Sequence, residues 1–264
     1  MVHPRERTAE TLVKSMKESE RQRAILQKLV RMETERPRAG LIATGFPALD
    51  EALGGGLPRG RIVEFFGPSG SGKTTLALQC IAHLQSLGMN AAFIDADQTF
   101  DAAYAAGLDV AIERLPLAQP ASAEQAMDIA RTLAASGAVD LIVVDSAAAL
   151  APRLEVEAGI TESIPRLQSR VLANELRKLG SRIRRGETCV LFLNQMRSRP
   201  DRGPGEAETS AGGPPLKLFA AIRIAMLPAG DSLLRLRVLK NNAAEWSAKR
   251  ELEWRRGSGF VSLP

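Results

Sequence analysis

The sequence predicts an α/β protein whose mostly parallel central sheet is flanked by helices, and three observations support this prediction. Strand-like and helix-like segments alternate from Ala39 onward, as in chains that build a parallel sheet. Leu, Val, Ile and Ala dominate the apolar runs, while aromatic residues make up only 4% of the chain, which is typical of strands covered on both faces. A glycine-rich turn links the first core strand to a helix, as open α/β sheets often have.

The predicted elements follow the chain in order. Strands are predicted at residues 61–66, 90–95, 140–145 and 188–194, and helices at residues 73–87, 122–136 and 164–184. Ser122 is a suitable N-cap for the second of these helices. After Gly213, strand-like runs at 221–227, 233–239 and 251–254 predict an antiparallel extension of the sheet at the C-terminal end. Residues 198–213 are rich in Arg, Gly and Pro, which predicts a mobile loop.

Residues 1–38 are interpreted as a separate N-terminal helical segment, and residues 39–264 as the core. The N-terminal segment is charge-rich and lacks glycine, and its apolar residues cluster with helical spacing around Leu12 and Ile25. An isolated helix with so thin an apolar stripe would be marginal in water. Two alternatives stay open: the helix folds back on its own core, or it docks on a neighbouring subunit.

Composition and charge exclude several classes of protein. The net charge of +5 and the pI near 9.5 are compatible with an anionic partner such as nucleic acid, but too weak to argue for one. The first twenty residues are rich in charge, which argues against a signal peptide, and no apolar run approaches membrane-spanning length. Cys80 and Cys189 are expected to be buried structural thiols. We therefore expect a cytoplasmic protein with no membrane contact.

A phosphate-binding loop is the most specific motif in the chain. The motif reads Gly67, Pro68, Ser69, Gly70, Ser71, Gly72, Lys73, Thr74, and it follows a predicted strand and opens a predicted helix, as the motif requires. Its glycines let backbone N–H groups turn toward phosphate oxygens, and the positive end of the helix favours the same anion. Lys73 would reach the β- and γ-phosphates, Thr74 would ligate Mg²⁺, and Thr75 lies one step further into the helix.

Polar residues follow the other core strands at the edge where ligands bind in open α/β sheets. Asp145 ends the apolar run from Leu141 and is interpreted as a second magnesium ligand, acting through water. Asp95 and Asp97 lie at the end of the neighbouring strand, and a carboxylate here could orient or deprotonate an attacking water. Asn194 and Gln195 end a third strand, where an amide can sense the γ-phosphate. For Asp97 and for the two amides, a purely structural role stays open.

The chain resembles the RecA recombinase family from about Ile42 to Phe260. An entry segment from Thr44 to Gly60 resembles the one shared by RecA, RadA and KaiC-like ATPases. Four further runs resemble RecA specifically: Ala92-Phe93-Ile94-Asp95-Ala96, Ser136 to Asp140 leading into Val143-Val144-Asp145-Ser146, Asn194-Gln195-Met196-Arg197, and Glu208-Thr209-Ser210-Ala211-Gly212-Gly213. The resemblance implies a RecA-like P-loop ATPase core that uses ATP and Mg²⁺. A RadA-like or KaiC-like ATPase would explain the last of these runs less well.

The resemblance also implies roles for individual residues. Tyr104 lies where the family stacks an aromatic ring on adenine, although a core tyrosine is the alternative. Gln195 matches the γ-phosphate sensor, and Lys240 matches a lysine that a neighbouring subunit supplies. Residues 157–165 match the first DNA-binding loop and residues 196–213 the second, here called the second loop. In the second loop, the residues expected to contact DNA are Arg197, Arg199, Arg202, Gly212 and Gly213.

The sequence departs from the family pattern at several positions. Asp97 replaces a catalytic glutamate, and Asn242 replaces the second lysine of the trans-acting pair. Leu218 replaces an aromatic residue that relays the ATP state between subunits. Pro214 and Pro215 replace flexible residues. We expect the core to lack the separate C-terminal domain of the family.

Two functions are therefore considered. The first is ATP-dependent binding of single-stranded DNA in DNA repair, recombination or the SOS response to DNA damage, with reduced DNA-dependent ATPase activity. The alternative is a RecA paralogue of the ImuA type, a nucleotide-binding adaptor in damage-induced mutagenesis with weak or no ATPase activity and no filament. The expected partners are single-stranded DNA and either a second copy, through the N-terminal helix, or a RecA or polymerase protein.

Overall fold

A computed structural model describes residues 40–158, 166–198, 208–244, 249–255 and 258–262. The predicted N-terminal helix, most of the first DNA-binding loop and the centre of the second loop lie outside these residues. The described strands are β1 (Leu41–Ile42), β2 (Leu57–Pro58), β3 (Ile62–Gly67), β4 (Ala91–Asp95), β5 (Leu117–Ala118), β6 (Leu141–Asp145), β7 (Cys189–Ser198), β8 (Glu208–Ser210), β9 (Ile222–Pro228), β10 (Leu233–Asn241), β11 (Lys249–Arg255) and β12 (Gly259–Ser262).

Seven α-helices lie between these strands in the described residues. They are α1 (Pro47–Leu53), α2 (Lys73–Ser86), α3 (Ala102–Ala106), α4 (Ala123–Ala135), α5 (Arg153–Ala158), α6 (Leu167–Gly186) and α7 (Pro214–Phe219). The Ser122 hydroxyl accepts a hydrogen bond from the backbone N–H of Gln125, which confirms Ser122 as the N-cap of α4. No helix in the described part of the chain is both long enough and apolar enough to cross a membrane.

The central sheet has the strand order β12-β11-β10-β9-β3-β7-β6-β4-β5, and β8 pairs with β7 beside it. The six strands from β9 to β5 run parallel, whereas β10, β11 and β12 add to β9 as an antiparallel extension. The predicted parallel sheet with its C-terminal extension is therefore confirmed. This order brings the carboxyl ends of β3, β7, β6 and β4 side by side.

Both faces of the sheet are buried by helices. On β6, Leu141 and Val143 pack into a core with α1 and α2, whereas Ile142 and Val144 pack into a second core with α4 and α6. Alternate residues thus point to opposite faces, and a strand that is covered on both faces is apolar at most of its positions. This burial explains the continuous apolar runs of the sequence.

The sequence prediction was wrong or incomplete at the ends of the second loop and of the sheet. Residues 208–210 were predicted as loop, but they form β8 because the chain returns antiparallel to β7, which itself extends to Ser198. Pro214 and Pro215 begin α7, where a proline loses no intrahelical hydrogen bond. Gly259–Ser262 adds a fourth C-terminal strand through backbone pairing with β11, which apolar patterning did not indicate.

Candidate functional site

The phosphate loop joins β3 to α2 and has the conformation that its glycines permit. Gly72 is the N-cap of α2 at φ 78°, a left-handed conformation that other residues adopt only under strain. A Cβ at this position would lie 2.4 Å from the Phe260 ring. Since Phe260 belongs to β12, the end of the described sheet packs directly against the base of the phosphate loop.

The Lys73 ammonium lies over the phosphate loop. Its Nζ donates hydrogen bonds to the carbonyl oxygens of Gly67 (3.2 Å) and Pro68 (2.7 Å). Burial lowers the pKa of Lys73, and the nearby carboxylates of Asp145 and Asp97 oppose this shift. A cation in this position, beside the N-terminus of α2, can bind the phosphate groups of a nucleotide.

Thr74 and Asp145, the two residues predicted to hold magnesium, are in contact. The Thr74 hydroxyl donates a 2.6 Å hydrogen bond to Oδ2 of Asp145. Burial is the main cause that raises the pKa of the Asp145 carboxyl to about 6; the bond from Thr74 lowers it, and Asp97 raises it further. A hydroxyl and a carboxylate are hard oxygen donors, so this pair could hold Mg²⁺ together with phosphates and water.

Asp95, the last residue of β4, and Asp97, two residues later, differ in their surroundings. Asp95 is 1% exposed, and its carboxylate accepts hydrogen bonds from the backbone N–H groups of Thr99 and Phe100. Asp95 is therefore engaged in holding its own turn. Asp97 is exposed, and its Oδ1 accepts a 3.2 Å hydrogen bond from the Ser146 hydroxyl. Of these two carboxylates, Asp97 is the one available to a bound water or nucleotide.

Tyr104 lies beside the phosphate loop. Its hydroxyl is 2.7 Å from that of Thr75, which follows the two phosphate-loop residues on α2. The ring is 45% exposed, so the alternative interpretation of a core tyrosine was wrong. An exposed aromatic ring in this position could stack on a nucleotide base.

Gln195 reaches the phosphate loop through strand pairing. It lies opposite Gly67 in the register of β7 and β3, and it is exposed. Its neighbour Asn194 is fully buried, and the Asn194 Oδ1 atom accepts a 2.8 Å hydrogen bond from the Gln195 backbone N–H. Gln195 is thus the exposed amide of the pair, whereas Asn194 is held inside the sheet.

The two ends of the second loop leave the sheet together. Arg197 is exposed and pairs with Thr209 across β7 and β8. Gly212 and Gly213 follow β8 and lead into α7. Of the predicted DNA-contacting residues, the structure therefore places Arg197 and the two glycines at the base of one loop, while Arg199 and Arg202 lie outside the described residues.

Lys240 lies on β10 and contacts α7. Its Nζ donates hydrogen bonds of 3.2 Å to the backbone carbonyl oxygens of Lys217 and Leu218 on α7. Burial, and to a lesser degree Arg223, lowers the pKa of Lys240. Leu218 is 71% exposed. The structure does not bring Lys240 to the phosphate loop of its own chain.

Two features of this region were missed by the sequence predictions. Ser146 follows the assigned Asp145 but received no role, and nothing in the sequence shows that it contacts Asp97. The second feature is an ion pair between Glu64 and Arg223 inside the sheet. The sequence did contain a signal for this ion pair. Each of the two residues is a lone charge within an apolar strand, and buried charges need partners.

Comparisons with known proteins give one consistent result. The RecA N-terminal domain family matches residues 10–244. The chain is similar to the RecA protein of Caulobacter vibrioides, with 42% identity over 84% of this chain and 65% of that protein. The RecA protein of Bordetella pertussis is 43% identical over 83% of this chain and 65% of its own length. For the RecA protein of Oceanobacillus iheyensis, the identity is 43% over 86% of this chain and 69% of that protein.

The chain thus spans about 65% of the length of the first two of these relatives. The comparisons agree with the resemblance drawn from the sequence, and they do not favour the alternative of an adaptor in mutagenesis.

Proposed function

The chain belongs to the RecA family, and from this premise we propose that it is an ATP-dependent, single-stranded-DNA-binding protein of recombination or repair. One observation carries the proposal: the sheet order brings the phosphate loop, Asp145, Asp97 and Gln195 to a single edge. Each of these groups has a distinct task in phosphoryl transfer to water.

ATP would bind with its phosphates on the loop from Gly67 to Thr74. The backbone N–H groups at the start of α2 and the Lys73 ammonium would contact the phosphate oxygens. Lys73 donates to the carbonyl oxygens of Gly67 and Pro68, and on nucleotide binding it would exchange these bonds for bonds to the phosphates. The exposed ring of Tyr104 would cover the base.

Thr74 and Asp145 would hold Mg²⁺, which would neutralise charge on the transferred phosphate. The pKa of Asp145 near 6 leaves its carboxyl mostly ionised at neutral pH, as an oxygen ligand of a cation requires. Thr74 would have to turn its hydroxyl hydrogen away from Asp145, because an oxygen that ligates a metal does so through a lone pair.

Asp97 would act on the attacking water. The water oxygen bonds to the γ-phosphorus, the bond from that phosphorus to the β-γ bridging oxygen breaks, and the water proton passes to the carboxylate, giving ADP and phosphate. The Ser146 hydroxyl holds one oxygen of Asp97 and leaves the other available. Aspartate is one methylene shorter than the family's glutamate, which withdraws the carboxylate by ~1.5 Å and is expected to slow hydrolysis on the order of 100-fold.

DNA would bind at the second loop. Arg197 at its base, together with Arg199 and Arg202, would contact phosphates, which gives salt-dependent affinity with little sequence preference. Gly212 and Gly213 would let the backbone approach the strand. A second copy would supply Lys240 to the nucleotide, and residues 1–38 would dock on that neighbour.

The proposal is tested by the rate of ATP hydrolysis with and without single-stranded DNA, measured beside electron microscopy of the same mixtures. We expect a slow rate that rises with DNA and requires Mg²⁺. Tight ATP binding with no hydrolysis under any of these conditions would contradict the enzymatic part of the proposal. Absence of DNA binding at low salt would contradict the other part.

A further inference from the structure

A buried polar cluster lies inside the sheet, beneath the phosphate loop and the second loop. It consists of Glu64 on β3, Asn194 on β7, Ser210 on β8 and Arg223 on β9, and these residues are 0%, 0%, 3% and 6% exposed. The four side chains come from four strands and meet in the middle of an apolar region. We call these four residues the buried cluster.

Glu64 is the centre of the buried cluster. Its Oε2 accepts a 2.6 Å hydrogen bond from Nε of Arg223, and its Oε1 accepts a 2.9 Å hydrogen bond from Nδ2 of Asn194. Arg223 also donates to the Ser210 hydroxyl at 3.2 Å, and its guanidinium lies 4.8 Å from the centroid of the Phe66 ring. The carboxylate thus binds both neighbouring strands, and Arg223 extends the contact to β8.

The buried cluster also fixes the backbone at Gln195. The Glu64 carboxylate accepts from the Asn194 amide nitrogen and so orients the amide, which directs Asn194 Oδ1 toward the Gln195 backbone N–H. The Asn194 amide nitrogen donates in addition to the Ala211 carbonyl oxygen at 3.0 Å, and the Ala211 N–H donates to the Gln195 carbonyl oxygen at 2.9 Å. The C-terminal end of the second loop is therefore hydrogen-bonded to Asn194 and Gln195, which directly precede its N-terminal end.

A buried ion pair is weak evidence for a role in stability alone. A protein in which well-packed apolar residues replace such a pair is often as stable as the original or more stable, whereas removal of one partner alone leaves an unpaired buried charge. A buried network whose groups are all bonded instead selects one arrangement of its strands. Here the strands that it holds together carry the phosphate loop and the second loop.

We propose that Glu64 and Arg223 are positioning residues that couple nucleotide binding at the phosphate loop to the arrangement of the second loop. Glu64 lies three positions before Gly67 on β3, and Gln195 lies opposite Gly67. A shift of the Gln195 backbone must move Asn194 as well, and the Glu64 carboxylate must follow. The reason is that loss of the hydrogen bond from Asn194 to this buried carboxylate would cost much free energy. Arg223 transmits the shift to Ser210 and thus to the end of the loop. The inference rests on the proposed function.

Ser210→Ala is the most selective test, since it removes the contact between Arg223 and β8 and leaves the Glu64–Arg223 pair intact. The readout is tryptic cleavage after Arg202, with and without Mg²⁺ and a non-hydrolysable ATP analogue, beside the affinity for that analogue. We expect the cleavage rate of the wild type to change when the analogue binds. In Ser210→Ala this change should be about fivefold smaller, while the affinity for the analogue stays the same. Ser210→Thr keeps the hydroxyl and should restore the effect.

Ser262→Ala is the matched control, because the Ser262 hydroxyl is buried and has no hydrogen-bond partner among the described residues. It should leave the nucleotide effect unchanged. Glu64→Gln is a second variant of the buried cluster, expected to weaken the effect further; if it does not fold, Ser210→Ala still decides the question.

The outcomes separate the two proposals. If the analogue binds to the wild type but does not change its rate of tryptic cleavage, the coupling proposal is overturned. A wild type that does not bind the analogue at all overturns the proposed function. A wild-type effect that persists in full in Ser210→Ala and in folded Glu64→Gln means that the buried cluster only stabilises the sheet.

Discussion

The Thr74 hydroxyl and the Asp145 carboxylate are joined by a 2.6 Å hydrogen bond. This contact crosses from the helix of the phosphate loop to the end of a different strand, β6. Asp145 is 8% exposed, and burial is the main cause of the raised pKa of its carboxyl, about 6. A carboxylate kept in a buried site at a cost in stability is typical of a functional group.

Asp145→Asn should stabilise the metal-free protein at neutral pH and abolish the contribution of Mg²⁺ to ATP binding. An amide can still accept the hydrogen bond from Thr74, but it carries no charge to desolvate. The shift from 3.8 to about 6 corresponds to a cost of about 3 kcal/mol at most. The measurement is urea unfolding in the presence of a chelator, beside ATP titrations with and without Mg²⁺.

The pKa shift also determines the sign of the pH dependence. In the unfolded chain the Asp145 carboxyl loses its proton near pH 3.8, and in the folded protein near pH 6. Between these values the folded state binds more protons, so the contribution of Asp145 to stability falls as the pH rises through this window, and is constant above it. The stability difference between Asp145→Asn and the wild type should therefore grow between about pH 4 and pH 6.

Asp95→Asn is the matched control for Asp145→Asn. Asp95 lies opposite Asp145 in the register of β4 and β6, but its carboxylate accepts hydrogen bonds from Thr99, Phe100 and Gln119. An amide cannot accept all of these with the same strength, so Asp95→Asn should destabilise the protein. If Asp145→Asn destabilises it equally at neutral pH, the account of Asp145 is wrong.

Lys73→Ala should weaken the binding of Mg-ATP by about 100-fold, since it removes charge-assisted hydrogen bonds to the phosphates. Isothermal titration calorimetry measures the affinity, and circular dichroism verifies the fold. Lys178→Ala provides the comparison, because Lys178 is an exposed residue of α6 that pairs with Glu175, and its loss should not affect nucleotide binding. Equal ATP affinity in the wild type and in folded Lys73→Ala would refute the assignment of the phosphate loop.

Replacement of Arg197, Arg199 and Arg202 by alanine should weaken the binding of single-stranded DNA. For three lost phosphate contacts, the slope of log affinity against log salt should fall by about 2. Fluorescence anisotropy with a labelled oligonucleotide at several salt concentrations measures both quantities, and an unaltered slope would exclude these arginines from the DNA site.

The control for the loop arginines is a second triple variant with the same change in net charge. Arg182, Arg184 and Arg185 are exposed near the C-terminal end of α6, which precedes the start of β7 and so lies at the opposite edge of the sheet. Their replacement by alanine should change DNA affinity far less than the loop variant does. Equal losses in the two variants would mean that net charge, not the second loop, determines binding.

Asp97→Glu should raise the DNA-stimulated rate of ATP hydrolysis and leave ATP affinity nearly constant. The longer side chain returns the carboxylate toward the water, and a correction of ~1.5 Å can recover up to about 100-fold in rate. Ser146 holds the present carboxylate by one hydrogen bond, so Ser146→Ala in the wild type should lower the rate. The measurement is steady-state hydrolysis with the Michaelis constant determined for each variant.

Asn242→Lys, combined with Asp97→Glu, distinguishes a slow ATPase from a protein that only binds nucleotide. Asn242 is exposed, so a lysine there can be tolerated, and its charge would stabilise the transferred phosphate across a subunit interface. A rise in rate only in the double variant would indicate a site weakened on both sides of that interface. Unchanged rates in both variants, with ATP still bound, would contradict the hydrolytic function.

Much of the fold and part of the site could be predicted from the sequence. The strands β3, β4 and β6 were predicted within about one residue because each is a largely apolar run that ends at a glycine or an acid. The phosphate loop was recognisable because its glycines and its lysine have a fixed spacing. By contrast, β8 and β12 consist of three and four residues, and backbone pairing with distant strands, not side-chain pattern, makes them strands.

The sequence by itself determined the alternation of strands and helices, the phosphate loop and the acids at the strand ends, because local spacing carries this information. Only the tertiary structure decided which of these groups meet. It assigned Asp95 to its own turn and left Asp97 available, it placed Tyr104 against Thr75, and it paired Glu64 with Arg223. Except for the local turn of Asp95, these contacts join residues far apart in the chain, and they depend on the strand order and register of the sheet, which no local pattern encodes.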